Sequence, residues 1–239
     1  MRERPILFNT EMVRAILDGR KTCTRRLVKF LPGKNPQWTG YIKDGLMLYN
    51  GKNELCIRKA PYQPGDILYV RETWCSAYGG EKYFYLADKL TNREERSLLN
   101  YDDVKWHPSI YMPKEAARIW LKVTDVRVER LQEIDIEGMR NEGLSSAAVH
   151  AGDTEIALKE WKILWNYNIK KSELDTYGWS ANPWVWVIEF VESKKTNADK
   201  IKNMSDEELA RFLTTFNNKF GEEYEGEISC IEWLQSEAE

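Results

Sequence analysis

The sequence predicts an α+β fold: a curved sheet with flanking helices and a helical C-terminal appendage. Three observations carry this. Short β-branched and aromatic runs, "ILF" (6–8), "ILYV" (67–70) and "PWVWVIEFV" (183–191), are separated by loops and amphipathic helices. One long strand candidate, "RIWLKVTDVRVERL" (118–131), changes phase in mid-course. Beyond Ser193 the composition turns polar and then acidic.

Each element follows in order. Ile6–Phe8 reads as a short buried strand. Thr10 then caps a helix with apolar residues Met12, Val13, Ile16 and Leu17, stopped by Gly19. "KTCTRRLV" (21–28) resembles a strand by its β-branched content. Residues 32–64 are rich in Gly, Pro, Asn and Lys and read mostly as loop. The turn "PGD" leads into the strand at 67–70, which ends in Arg71, Glu72, Thr73 and Trp74. "KYFYLA" (82–87) is another strand, and the charged stretch 88–104 a surface excursion. In the long strand, Ile119, Leu121 and Val123 share one face, and Val126 and Val128 resume it after a slip at Thr124–Asp125. Such a slip reads as a β-bulge, a device that curves a sheet into a barrel, with all five residues pointing inward. "QEIDIEGMRNEG" (132–143) is a short helix ending at Gly143, and residues 154–169 form a second, with Trp161 and Trp165 one turn apart. The closing strand would turn Trp184, Trp186, Ile188 and Phe190, or the complementary set, outward. "KKTNADKIKNM" is a linker, Ser205 and Glu208 form a capping box, and "EISCIEWLQ" is a last helix. The chain therefore divides into a domain with insertions, 1–193, and an acidic appendage, 194–239.

Composition narrows the function. The chain has 239 residues, 42% hydrophobic and 31% charged, the profile of a soluble globular protein. No apolar run approaches the roughly 18 residues of a membrane span, and "MRERPILFNT" is too polar for a signal peptide. Cys23, Cys56, Cys75 and Cys230 lie far apart with no C-x-x-C pair, and the histidines are His107 and His150 alone, so no metal site is expected. A cytoplasmic protein with reduced thiols and no cofactor is the simple reading. From Ser205 to Glu239 ten acids face two bases, a net of −8, so the first 204 residues balance to +5 within the chain's −3. An acidic tail masks a mildly basic body.

The segment "DGRKTCTRR" (18–26) concentrates that basicity around Thr22, Cys23 and Thr24. Cations after a helix C-terminus favour its dipole, which alone accounts for Arg20 and Lys21. The chemical reading is an anion-holding pocket. A threonine hydroxyl becomes a nucleophile only when a base takes its proton, and a lysine serves when neighbouring cations such as Arg20, Arg25 and Arg26 depress its pKa. On an ideal strand Lys21 and Thr24 point to opposite faces, so this reading needs a bend between them. Cys23 beside cations is a candidate reactive thiol. Arg71 and Glu72 read either as a surface ion pair or, with Trp74, as part of a cleft. Trp106, Tyr111 and Trp186 are stacking candidates for a base, worth about 1–3 kcal/mol each where they stack, and His107 is an ordinary loop histidine.

Taken together, "ILDGRKTCTRR", "PGDILYVRE", "WLKVTDVRVERL", the helix ending "NEG" and the closing "WVWVIEF" resemble the ASCH family over residues 3–193. ASCH domains are small barrels similar to PUA domains, and the longer form with "VRETW" and "HPSIYMP" is similar to prophage proteins. The resemblance implies a cleft at the barrel mouth that binds RNA or a modified nucleoside or nucleotide. One branch of the family is an amidohydrolase that deacetylates N4-acetylcytidine with a Lys, a Thr three residues on, and a Glu near a helix end. Lys21, Thr24 and Glu142 match those positions. Three functions follow as expectations. The first is a binding module with phosphate on Arg20, Arg25 or Arg26. The second is an amidohydrolase using Lys21, Thr24 and Glu142. The third is a phage-encoded adaptor whose acidic tail grips a host protein.

Overall fold

The computed structural model describes residues 2–31, 41–43, 47–49, 55–57, 59–77, 82–88, 105–193, 201 and 209. The chain divides into two units, Met1–Val191 and Glu192–Glu239. The helices expected after Ser205 fall outside the described residues apart from Leu209, and so does nearly all of the 88–104 excursion.

The first unit is α+β. Strand β1 (Glu3–Leu7) leads into helix α1 (Thr10–Leu17), which delivers the chain to β2 (Cys23–Leu27). The helix cap lies one residue earlier than expected: the Asn9 side chain, not Thr10, accepts from the Met12 N–H at 2.9 Å. Gly19, at φ +70°, ends the turn as expected. Two short strands, β3 (Tyr41–Lys43) and β4 (Met47–Tyr49), pair within the stretch read as loop. Next come β5 (Ile67–Arg71) and the paired strands β6 (Trp74–Ala77) and β7 (Lys82–Tyr85). The long strand is β8 (Trp120–Arg130). Helices α2 (Ile136–Asn141), α3 (Ala147–Ala151) and α4 (Thr154–Tyr167) precede β9 (Trp184–Glu192).

The main sheet runs β1-β5-β8-β9-β2. β1 is parallel to β5, while β5–β8 and β2–β9 are antiparallel. This corrects the barrel expectation. The sheet is open among the described residues, because β1 and β2 stand at its two edges instead of meeting. The curved strand behaves as its pattern requires: Ile119, Leu121, Val123, Val126 and Val128 are all buried in one cluster, and the phase changes between Thr124 and Asp125.

That cluster is the first of two cores. It packs Val13 and Ile16 of α1 against Ile6, Val70 and Trp186 of the sheet. The second core sets Met139, Trp161 and Trp165 of the helices against Val185 and Val187. From Trp184 to Ile188, β9 therefore separates two interiors and neither of its side-chain sets is outward; Val191, further on, is 50% exposed. Trp186, 3% exposed, is core and unavailable for stacking on a base; truncating so large a buried side chain costs about 3–5 kcal/mol.

Candidate functional site

The basic segment meets the end of α2 at Lys21. Its Nζ donates to Glu142 Oε2 at 2.6 Å and to the Glu142 main-chain oxygen at 2.9 Å, with no part of the Lys21 side chain exposed. The main chains join as well. Lys21 and Glu142 form an isolated antiparallel bridge, and the Thr22 N–H donates to the Asn141 oxygen at 2.8 Å. Gly143 permits the approach twice over. Its φ is +92°, and a Cβ there would lie 2.8 Å from Ala15 Cβ and 3.2 Å from Lys21 Cβ.

Arg25 flanks the same carboxylate. Its Nη1 lies 3.5 Å from Glu142 Oε1 and its Nη2 3.5 Å from Glu129 Oε2. Arg127 in turn bridges Glu129, Asp125 and Glu189, so an ion-pair chain runs from Arg127 to Lys21. Glu142 Oε1 and Arg25 Nε nevertheless stay buried without a hydrogen bond. Such groups are rare in proteins and are costly unless something completes them.

A cleft of about 570 Å³ opens beside them. It is lined by Thr24, Arg25, Arg26 and Leu27 of β2, by Leu7 and Met12, by Trp161 and Trp165, and by Glu142–Ser145. Arg26 donates to the Leu7 oxygen at 2.7 Å and lies over the Phe8 ring at 5.3 Å. Among the described residues it has no carboxylate within ion-pair distance. Burial lowers its pKa against the pull of Tyr62 and Glu142, although an arginine stays charged throughout the accessible range. The Trp161 Nε1 is another buried donor with no partner, whereas the Trp165 Nε1 donates to the Tyr177 oxygen at 2.9 Å.

The expected site residues separate into two groups. Thr24, Arg25, Arg26 and Glu142 come together on the cleft. Lys21 stands behind Glu142 and does not line it; because β2 begins only at Cys23, the alternation rule that set Lys21 against Thr24 does not apply. Arg20 turns outward to Asp18 at 2.9 Å and to the Gly143 oxygen at 2.9 Å. Arg71 and Glu72 do not pair: Arg71 donates to the Ile110 oxygen at 3.3 Å, and Glu72 takes Arg118 as its partner. Trp74 lies against His107, with ring centroids 5.0 Å apart, which makes that histidine part of a small aromatic cluster. Trp106 is half-buried beside it, and Tyr111 is 72% exposed on a single turn, Ser109–Tyr111. None of these lines the cleft. The reactive-thiol reading of Cys23 is overturned as well. Burial, reinforced by the Glu142 charge, pushes its pKa up to about 12, which keeps the thiol protonated and inert.

Trp161 and Trp165 are the aromatic side chains that sequence reasoning left out of the site. Their four-residue spacing marks one helix face, but a helix face does not name the strand it will oppose. Compared with known proteins, the chain matches no family model, no curated protein and no solved structure.

Proposed function

We propose that residues 3–193 form an ASCH-type, PUA-like domain with an open sheet, which binds RNA or a modified nucleoside or nucleotide in the cleft along β2. One observation carries this reading. Among the described residues, the same cleft holds a guanidinium with no carboxylate within ion-pair distance, Arg26, and a buried carboxylate oxygen with no hydrogen bond, Glu142 Oε1. A nucleotide meets both needs, with an anionic phosphate for Arg26 and N–H donors on its base for Glu142, while Trp161 and Trp165, themselves nearly buried, give the cleft apolar lining. We infer a cytoplasmic protein from that proposed ligand class; among the described residues no helix is long and apolar enough to cross a membrane.

The test is binding of single-stranded RNA and nucleoside monophosphates across a salt series. Affinity should fall steeply with salt, fall again with Arg26→Ala, and rise when residues 194–239 and their acidic charge are removed. Salt-independent binding, or none, overturns the reading.

A second reading, an amidohydrolase on an acylated cytosine, is favoured by the Thr24 hydroxyl and Glu142 lining one cleft. Here the roles shift. Lys21, donating twice to Glu142, positions that carboxylate, and Glu142 is the group able to exchange a proton with substrate. Turnover of N4-acetylcytidine by the unaltered chain that vanishes with Thr24→Val decides for it; binding without turnover by the unaltered chain, with affinity kept by Thr24→Val, decides against. No observation favours the adaptor reading, whose acidic segment lies outside the described residues.

A further inference from the structure

The register of β2 decides where its main-chain groups point. Thr22 accepts from the Phe190 N–H at 2.9 Å, and the Val28 N–H donates to the Trp184 oxygen at 3.1 Å. Thr24 opposite Ile188 and Arg26 opposite Trp186 lie between them in the same phase. Opposed residues of an antiparallel pair alternate between bonded and unbonded. The even-numbered residues therefore bond to β9, and the N–H and C=O groups of Cys23, Arg25 and Leu27 face the open edge. Among the described residues nothing hydrogen-bonds those outward groups. Buried main-chain groups are paired in more than nine cases in ten, and Arg25 is 8% exposed.

The cleft runs along this edge. Residues 24–27 line it from both faces of β2, and no residue of β9 does. One end of the edge is already covered, because Glu142 bridges Lys21 before Gly143 turns the chain away. From Thr24 onward the edge lies in the cleft, with Trp161 and Trp165 on the Arg25 and Leu27 side and Met12 on the Thr24 and Arg26 side.

We propose that this edge reads the ligand: a nucleobase lies in the plane of the sheet, where a further strand would lie, with an acceptor on the N–H of Arg25 or Leu27 and a donor on an outward carbonyl. This rests on the nucleotide-binding reading and names what that site recognises, a flat heterocycle with adjoining donor and acceptor. A peptide strand fits less well, because it would run on into Lys21, where Glu142 occupies the edge. Recognition by main chain also survives side-chain truncation, which a phosphate contact through Arg26 does not.

Proline at position 27 removes one outward N–H and leaves every β2–β9 bond in place, the one sheet position proline tolerates. Affinity for adenosine, guanosine, cytidine and uridine 5′-monophosphates is measured for the unaltered chain, Leu27→Ala and Leu27→Pro. The tightest of the four should lose tenfold more with Leu27→Pro than with Leu27→Ala, which accounts for the side chain alone. Amide exchange in the unaltered protein supplies a measurement free of folding effects. The Arg25 and Leu27 amides should exchange faster than those of Thr24 and Arg26, and the bound nucleotide should slow them at least tenfold. A nucleotide that binds without slowing either amide, and equally in both variants, overturns this inference and leaves the binding reading standing. Protection by an extended peptide and not by nucleotides assigns the edge to a peptide and overturns it too. Absence of nucleotide and RNA binding by the unaltered chain overturns both readings.

Discussion

Glu72 and Glu142 are both removed from water, 1% and 8% exposed, and both face cations, yet they end in different states. Arg118 meets Glu72 with two parallel donors, Nε to Oε1 at 2.9 Å and Nη2 to Oε2 at 3.0 Å, and gives Nη1 to Asp88 at 2.6 Å. Its planar fork matches a carboxylate and leaves no oxygen over. Lys21 is a single ammonium and completes only one oxygen of Glu142; Arg25, shared with Glu129, stops 3.5 Å from the other. The lesson is chemical. The closed pair leaves no carboxylate oxygen over, while the half-open pair on the cleft leaves one that the proposed ligand would complete.

The comparison breaks most visibly in stability. Arg118→Met should leave Glu72 buried without a partner and cost about 3–5 kcal/mol in urea unfolding. Lys21→Met should cost less, about 2–3 kcal/mol, because Arg25 still neighbours Glu142. If the order of these two losses reverses, Glu142 is the more tightly held carboxylate and the contrast is wrong.

Binding separates the two glutamates next. Glu142→Gln keeps an acceptor for Lys21 but removes the charge, and RNA or nucleotide affinity should fall about tenfold, equivalent to about 1.4 kcal/mol. Glu72→Gln should leave affinity within a factor of two of the parent, roughly the scatter of such measurements for sites without shared partners. Equal losses in both variants would assign the effect to general loosening.

The smallest effect is a pH dependence. Burial raises the Glu72 pKa above its ordinary 4.5, against the pull of the Arg118 hydrogen bonds. With the folded value above the unfolded one, the native state binds more protons between them. This group's contribution is full below the unfolded pKa and is lost as pH rises through the folded one. The stability of the parent relative to Glu72→Gln should therefore decline as pH rises from about 4. A relative gain over that range would show that Arg118 outweighs burial.

Local chemistry explains what could be read in advance. The phase slip in β8, the stop at Gly19, the turn at Gly143 and the helix face carrying Trp161 and Trp165 depend on residues a few positions apart, so propensity and periodicity report them. Lys21, Thr24 and Glu142 were grouped only through a family pattern, since 121 residues separate Lys21 from Glu142. Packing decided the rest. Nothing in "VRETW" says that Glu72 will take Arg118, 46 residues on, instead of adjacent Arg71, because that partner is brought up by the tertiary fold. Nothing in "WVWVIEF" tells a strand with one wet face from one enclosed by two cores, since an apolar run satisfies either. The open edge of β2 depends on which strand stands beside it, and that follows from how α1 carries the chain between the sheet's two edges. Hydrogen-bonding groups are the same at every residue; only the partners brought up by the tertiary fold decide which of them are left for a ligand.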